Sequence, residues 1–185
     1  MDYPNSEFWN YSTQIWTLPG IEPVCLELQN NYAADVNILL YCCWVGDKKL
    51  SINDDDLQVL LDTAQPWQTI IKPLRDSRKM MQQNLMAMPS EMIEQTTSNI
   101  SEMELNAEHM EQLALEKSLN FSQVAPCTDI TNIECSLNNL NKYLQSFESI
   151  SSLSELSQQL TQLLNAVYQD EQAVQVSIMN SAAFS

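Results

Sequence analysis

Glycine is nearly absent from this sequence: the 185 residues include only Gly20 and Gly46. Hairpin-rich β architectures use glycine for turns with positive φ, so its scarcity argues against them. Histidine is represented once, by His109. No glycine-rich phosphate loop and no G-x-S-x-G motif occurs either. Nucleophilic catalysis therefore has little support, and the sequence singles out no catalytic residue.

Positive charge is also scarce. Eight Lys and Arg residues stand against 24 Asp and Glu residues, which gives a net charge of -16 at pH 7. Such a surface repels a phosphate backbone, so binding of nucleic acid by the surface as a whole is disfavoured. Half of the positive charges lie in one short stretch, at Lys72, Arg75, Arg78 and Lys79.

Long apolar runs are missing too. The longest nearly apolar run, Val36 to Val45, contains Asn37, and a membrane-spanning helix needs about 20 residues. The first residues, Met1 to Glu7, lack the basic and apolar regions of a secretory signal. We therefore expect a cytoplasmic protein with no membrane partner, in which Val36 to Val45 forms a buried central helix.

The five cysteines have neither C-x-x-C spacing nor a zinc-finger arrangement with histidine. We expect them to be reduced and to pack as small apolar side chains. The sequence predicts no metal and no cofactor. The cysteines are Cys25, Cys42, Cys43, Cys127 and Cys135.

The pattern that is present is helical. Ser6 and Asp35 are typical helix caps, Pro23 suits a first turn, and Asn53 begins a helix whose first turn is acidic. A further helix is predicted from Pro66, with a kink or break before Pro73. A Glu-rich helix should follow over residues 91–118.

After Pro126 the apolar residues follow heptad spacing, first from Ile130 to Phe147 and then from Leu153 to Val167. Ser152 and Glu155 suggest a capping box at the start of the second helix. The sequence therefore predicts an all-α protein: a compact helical bundle over residues 1–120, then a C-terminal antiparallel helical hairpin over 121–168. Residues 169–185 are predicted to form a frayed tail.

Several short motifs occur in a specific order. They are Phe8-Trp9-x-Tyr11-Ser12, Cys25-Leu26-x-Leu28-Gln29, Asp35-Val36-Asn37-x-Leu39-Leu40 and Pro73-Leu74-Arg75-x-x-Arg78. Together they resemble a proteobacterial family of conserved hypothetical proteins, a domain of unknown function predicted to be all-helical. The resemblance covers roughly residues 6–117. It implies a helical fold and implies no catalytic residues.

The basic stretch divides on a helix. At about 100° per residue, Lys72, Arg75 and Lys79 share one sector, while Arg78 lies near the apolar face. A guanidinium group at an apolar face needs a carboxylate. We expect Arg75 or Arg78 to bind Asp35 or another N-terminal acid. The alternatives are a solvated stripe, or an anion site at Lys72, Arg75 and Lys79.

Two polar features remain. Asn37 in the central helix needs hydrogen-bond partners, which we expect to be Tyr11 or Gln29, unless it lines a ligand pocket. Glu104, Glu108 and Glu111 share one helical face beside His109. We expect this face to be solvated, with docking on a basic surface as the alternative.

The functional hypothesis is a non-catalytic cytoplasmic adaptor or regulator that binds an unknown protein partner. The rival hypothesis is a binding module for a phosphate-bearing ligand or nucleic acid through Lys72, Arg75 and Lys79. A weaker hypothesis is an enzyme with a polar pocket around Tyr11, Gln29, Asn37 and Arg78.

Overall fold

The computed structural model describes residues 3–83, 89–150 and 152–181. Within these residues the chain forms eight α-helices, and the all-α prediction is confirmed. The helices are α1 (Glu7–Trp16), α2 (Ile21–Tyr32), α3 (Val36–Asp47), α4 (Asp54–Gln82), α5 (Ser90–Ser118), α6 (Asn132–Gln145), α7 (Ser157–Tyr168) and α8 (Glu171–Asn180). A 3₁₀ turn, Leu153–Leu156, precedes α7. None of these helices is both long enough and apolar enough to cross a lipid bilayer.

Helix α3 forms the centre of the protein. Its residues are buried from Asn37 to Gly46, as the nearly apolar run predicts. Its N-terminus is capped by Asp35, whose carboxylate accepts the N–H of Asn37 at 2.8 Å. Helices α1, α2 and α5 contact α3, and α6 packs along it. A single buried apolar cluster includes residues from Phe8 in α1 to Ile178 in α8.

Helices α3 and α6 approach each other very closely at Gly46. A Cβ atom at this position would lie 2.1 Å from Ser136 Oγ and 2.5 Å from Ser136 Cα. Because one of these contacts is to backbone, a side-chain rotation cannot relieve it. Glycine is therefore required here for helix packing, and its backbone conformation is ordinary.

Helix α4 is a single helix of 29 residues that contains both Pro66 and Pro73. The prediction of two helices is wrong. Each internal proline costs a helix about 3 kcal/mol, but α5, also 29 residues long, packs against α4 along its length. The predicted start is confirmed, since Asn53 and Asp56 form a reciprocal capping box.

The C-terminal helices follow the heptad prediction in their buried faces. Ile133, Leu137, Leu140 and Leu144 of α6 are buried, as are Leu160 and Leu163 of α7. The predicted capping box differs from the structure. Ser152 Oγ accepts the N–H of Ser154 and begins the 3₁₀ turn.

The predicted frayed tail, residues 169–185, contains α8. Asp170 caps this helix, and Val174 is fully buried against the core. Sequence periodicity missed it because only three of its residues are buried. Residues 182–185 lie outside the described part. The division into a bundle and a hairpin extension stays a prediction.

A two-residue antiparallel strand pair, which the sequence did not indicate, joins β1 (Leu50–Ser51) to β2 (Ala125–Pro126). It brings Cys127 close to the first turn of α6, where Cys127 and Cys135 form a disulfide with a Cα–Cα distance of 6.2 Å. The expectation that all five cysteines are reduced is therefore wrong for this pair. Cys25, Cys42 and Cys43 are free and buried, as expected.

Candidate functional site

A cleft of about 490 Å³ opens between the first five helices. Volumes of this size are typical of binding sites. Among the residues that line the cleft, we call the polar ones the polar wall and the apolar ones the apolar wall, a division by chemistry and not by position. The polar wall includes Gln29, Asn30, Asn37, Arg75, Arg78, Lys79, Glu104, Glu108 and Gln112, and the apolar wall includes Trp9, Trp16, Leu26, Val36, Leu40 and Leu105.

Arg75 stands at the polar wall and is held by two carboxylates of α5. Its Nε donates to Glu104 Oε1 and its Nη2 to Glu108 Oε1, each at 2.8 Å. Glu104 and Glu108 lie one helical turn apart, so they present both acceptors on the same face. The guanidinium group is thereby fixed in orientation, and its side chain is only 15% exposed.

Arg78 binds the other oxygen of the same carboxylate. Its Nε donates to Glu104 Oε2 at 2.7 Å. The expectation that Arg75 or Arg78 would bind Asp35 or another N-terminal acid is therefore wrong. The pairs Arg75–Glu108 and Arg78–Glu104 show that α4 and α5 run antiparallel, which brings α5 and not the N-terminus beside the arginines.

The predicted trio of outward cations is separated in the structure. Lys72 is exposed, does not line the cleft, and has no ion pair within the described residues. Arg75 is engaged by its two carboxylates. Lys79 lines the cleft and donates to Asn30 Oδ1 at 3.2 Å. The cations that the cleft brings together are thus Arg75, Arg78 and Lys79.

The glutamate face of α5 is not solvated. Glu104 and Glu111 are buried, so the expectation of a solvated face is wrong. Glu104 and Glu108 bind the arginines of α4, whereas Glu111 accepts from the amides of Asn37 and Gln68. Burial acts to raise the pKa of Glu104, but Arg78 and Arg75 outweigh burial and leave it below its ordinary value. Burial raises the pKa of Glu108, against the opposing effect of Arg75.

Next to the cleft residue Asn37, the half-buried Asp35 and the fully buried Glu111 form a carboxyl pair. Gln68 Nε2 donates to Asp35 Oδ2 at 2.7 Å and to Glu111 Oε2 at 3.1 Å. Burial and the neighbouring Asp35 raise the pKa of Glu111 to about 9, and burial also raises the pKa of Asp35. Because two adjacent carboxylates repel each other, the pair holds a proton at neutral pH.

A chain of amide hydrogen bonds connects this pair to α1. Asn37 Nδ2 donates to Glu111 Oε2, and Gln112 Nε2 donates to Asn37 Oδ1, both at 2.7 Å. Ser12 Oγ then donates to Gln112 Oε1 at 2.6 Å. Asn37 is thus fully engaged, with partners from α5.

The predicted partners of Asn37, Tyr11 and Gln29, are therefore not its partners. Gln29 lines the cleft. The buried Tyr11 hydroxyl has no hydrogen-bond partner among the described residues, and burial raises its pKa. The roles of Gln68 and Gln112 could not be predicted from the sequence, because a glutamine on an amphipathic helix is usually exposed and nothing in the pattern marks one that is buried.

Trp9, an aromatic residue of the apolar wall, is fixed by ring contacts with His109. The Trp9 ring stacks on His109 with 3.7 Å between centroids, and Tyr3 lies on His109 at 4.1 Å. Three other residues of the apolar wall keep much of their surface accessible to solvent: Trp16 is 38% exposed, Leu26 36% and Leu105 53%. We call these three residues the apolar rim.

The cleft offers cations, aromatic rings and amides, which are groups that bind and orient a ligand. Across residues 3–83, 89–150 and 152–181, no group of three or more His, Cys, Asp or Glu residues has an arrangement that could hold a metal ion.

Comparison with known protein families matches residues 7–115 to a family described as a protein of unknown function (DUF2390). This range contains every residue of the cleft and agrees with the resemblance drawn from the sequence motifs. Searches of curated proteins and of solved structures gave no match.

Proposed function

The chain belongs to the DUF2390 family of proteins of unknown function, and from that premise we propose that it is a non-catalytic adaptor or regulator whose cleft binds a protein partner. The observation that carries the proposal is the apolar rim, Trp16, Leu26 and Leu105, which is exposed in the same cleft as the half-buried, oriented guanidinium groups of Arg75 and Arg78. Tryptophan and arginine are the residues most enriched where protein interfaces gain their binding energy.

The construction of the polar wall supports a binding role. Arg75, Glu104 and Arg78 form an ion-pair cluster in which one carboxylate binds two guanidinium groups. A buried ion pair often stabilises a fold no better than apolar residues of the same size would. The cluster does, however, keep Arg75 and Arg78 in one orientation, and a pre-oriented wall lowers the entropy lost on binding.

Affinity capture tests this proposal. The tagged protein is used to capture partners from its native cells, alongside Trp16→Ala and Leu105→Ala variants. Truncating a tryptophan that acts as an interface hot spot costs about 2 kcal/mol or more, so Trp16→Ala should weaken partner binding at least about 30-fold.

Met103→Ala is the matched control. Met103 is 57% exposed on the same helix as Leu105 but does not line the cleft. We expect Leu105→Ala to reduce capture and Met103→Ala to leave it unchanged. A partner that binds all these variants equally would show that the cleft is not the docking site.

The rival function, binding of a phosphate-bearing ligand or nucleic acid through Lys72, Arg75 and Lys79, has less support. Two carboxylates already engage Arg75, and Lys72 does not line the cleft. The rival function predicts a binding affinity that falls steeply as the salt concentration rises. Filter binding of RNA, DNA and nucleotides at low salt would reveal it.

The enzyme hypothesis is favoured by one observation: Gln29, Asn37 and Arg78 of its predicted pocket all line the same cleft. Two observations count against it. Tyr11 does not line the cleft. The side-chain amide of Asn37 already donates to Glu111 and accepts from Gln112. Turnover in a metabolite screen, lost in Arg78→Gln and kept in Lys72→Gln, would support an enzyme over an adaptor.

A further inference from the structure

The cleft has two chemically different ends, and the long axis of α2 separates them. Lys79 contacts Asn30 near the C-terminus of α2, whereas Glu22 lines the cleft near the N-terminus of that helix. Eight residues of helix separate Asn30 from Glu22, which is about 12 Å. The first end carries the cations Arg75, Arg78 and Lys79 against the carboxylates of Glu104 and Glu108, so it has one positive charge in excess. The other end is acidic at Glu22, with Leu26 between the two ends.

The cationic end retains hydrogen-bond donors. Arg78 uses Nε and Nη2 toward Glu104, and its Nη1 makes no hydrogen bond to any described residue. The Lys79 ammonium has one acceptor, the neutral amide oxygen of Asn30. A carboxylate placed between Arg78 and Lys79 would accept from both, which is the arrangement that charge-assisted hydrogen bonds favour.

The remainder of the cleft favours apolar groups and disfavours additional acid. Trp16 and Leu26 lie on the apolar wall, and Glu22 at the far end would repel a second carboxylate. The net charge of -16 acts in the same direction over longer distances. The occupant should therefore carry one carboxylate and several apolar side chains.

The exposed rim distinguishes a protein segment from a small molecule. Trp16, Leu26 and Leu105 belong to three different helices, line the cleft, and are still 38%, 36% and 53% exposed. A peptide segment extends past the cleft and can cover all three.

We propose that the cleft binds a linear segment of a partner protein in which apolar side chains stand beside a single carboxylate, with the carboxylate between Arg78 and Lys79 and the apolar side chains on Trp16 and Leu26. This inference rests on the proposed function and specifies the chemistry of the partner.

Selection from a random peptide display library on the immobilised full-length protein tests the assignment. We expect enriched peptides to combine at least two apolar residues with one Asp or Glu within a few positions. Lys79→Gln should weaken the enriched peptides about fivefold. Lys72→Gln, an exposed cation of the same helix outside the cleft, should leave their affinity unchanged.

A double-mutant cycle then locates the carboxylate. Replacing the peptide's acid by its amide should weaken binding to the wild-type protein more than binding to Lys79→Gln, because only the Arg78 contact is left to lose in that variant. Additive losses would overturn the placement. No enrichment, enrichment of basic peptides, or sodium benzoate binding as tightly as the best peptide would each overturn the proposal.

The two tests fail separately. A partner captured from cells through the rim, with no enriched linear peptide, would keep the proposed function and reject the linear acidic segment. Enriched acidic peptides with no captured partner would keep the chemistry of the cleft and reject the adaptor function.

Discussion

The two sides of α3 satisfy their buried polar groups in different ways. Toward α6, polar side chains bond to backbone: Ser136 Oγ donates to Cys43 O at 3.1 Å, and Asn139 accepts the N–H of Ile52 at 2.9 Å. Toward α5, polar side chains bond to each other, from Asn37 to Glu111 and Gln112. The α6 side is neutral and the α5 side is charged.

This difference indicates two tasks. Neutral contacts from side chain to backbone set the position of one helix on another without burying charge. The charged network costs desolvation energy, yet it lies directly behind the cleft and orients the groups that line it. We therefore expect mutations on the α6 side to act on stability, and those on the α5 side to act on pH dependence and binding.

The largest expected effect is that of Gly46→Ala on the packing of α6 against α3. The added Cβ would overlap the backbone of Ser136, so the two helices would have to separate. We expect a loss of about 3 kcal/mol in the free energy of unfolding, measured by urea denaturation. Adding Ser136→Gly should not restore stability, because the backbone contact remains. A loss below about 1 kcal/mol would show that the helices can move apart freely.

The second prediction concerns the covalent link on the α6 side. Cys127 and Cys135 are eight residues apart, and closing so short a loop stabilises a protein by about 2–3 kcal/mol. The double variant Cys127→Ser, Cys135→Ser should lose that amount. Reductant should lower the wild-type midpoint to that of the variant and leave the variant unchanged. A wild-type protein indifferent to reductant would contradict the prediction.

The third prediction concerns the charged side. Glu104→Gln removes the carboxylate that Arg75 and Arg78 share, and we expect a loss of about 2 kcal/mol at pH 7. Glu102→Gln, an exposed position on the same helix, should change stability by less than about 0.5 kcal/mol. Equal effects of the two variants would show that the ion-pair cluster does not stabilise the fold.

The same carboxylate gives an acid-side dependence. The pKa of Glu104 is lowered from 4.5 in the folded protein. Its stabilising contribution is therefore fully present above pH 4.5 and lost as the pH falls through its folded value. In Glu104→Gln this part of the acid sensitivity should disappear from the denaturation profile.

The last prediction is an alkaline dependence of opposite sign at Glu111. Its pKa rises from 4.5 to about 9 on folding, so the folded state binds the proton more tightly than the unfolded chain. The contribution is full below pH 4.5 and lost as the pH rises toward 9, with a slope of up to about 1.4 kcal/mol per pH unit. Glu111→Gln should flatten this slope in urea titrations from pH 5 to 9. An unchanged slope would contradict the buried proton.

The sequence predicted those features that depend on neighbouring residues. Ser6, Asp35 and Asn53 cap helices because a side chain and a nearby N–H suffice to form a cap. The unbroken α4 was missed for the opposite reason. The cost of Pro66 and Pro73 is local, whereas the packing of α5 that offsets it depends on the fold.

The site was predicted in part for the same reason. Helical geometry separated Arg78 from Lys72, Arg75 and Lys79, and the spacing of Glu104, Glu108 and Glu111 placed three acids on one face. Neither pattern states that the two faces meet, because antiparallel pairing of α4 with α5 is a long-range event. Asp35 was predicted to bind Arg75 or Arg78 from its position in the sequence, which does not show which helices pack together.

The contact between Gly46 and Ser136 also constrains how this protein can change through evolution. A side chain at position 46 becomes acceptable only after α6 has shifted outward, and one substitution cannot supply that shift. Relatives should therefore either keep glycine here or differ along the whole of α6 at once. We therefore expect glycine at position 46 in any relative that packs these two helices at the same distance.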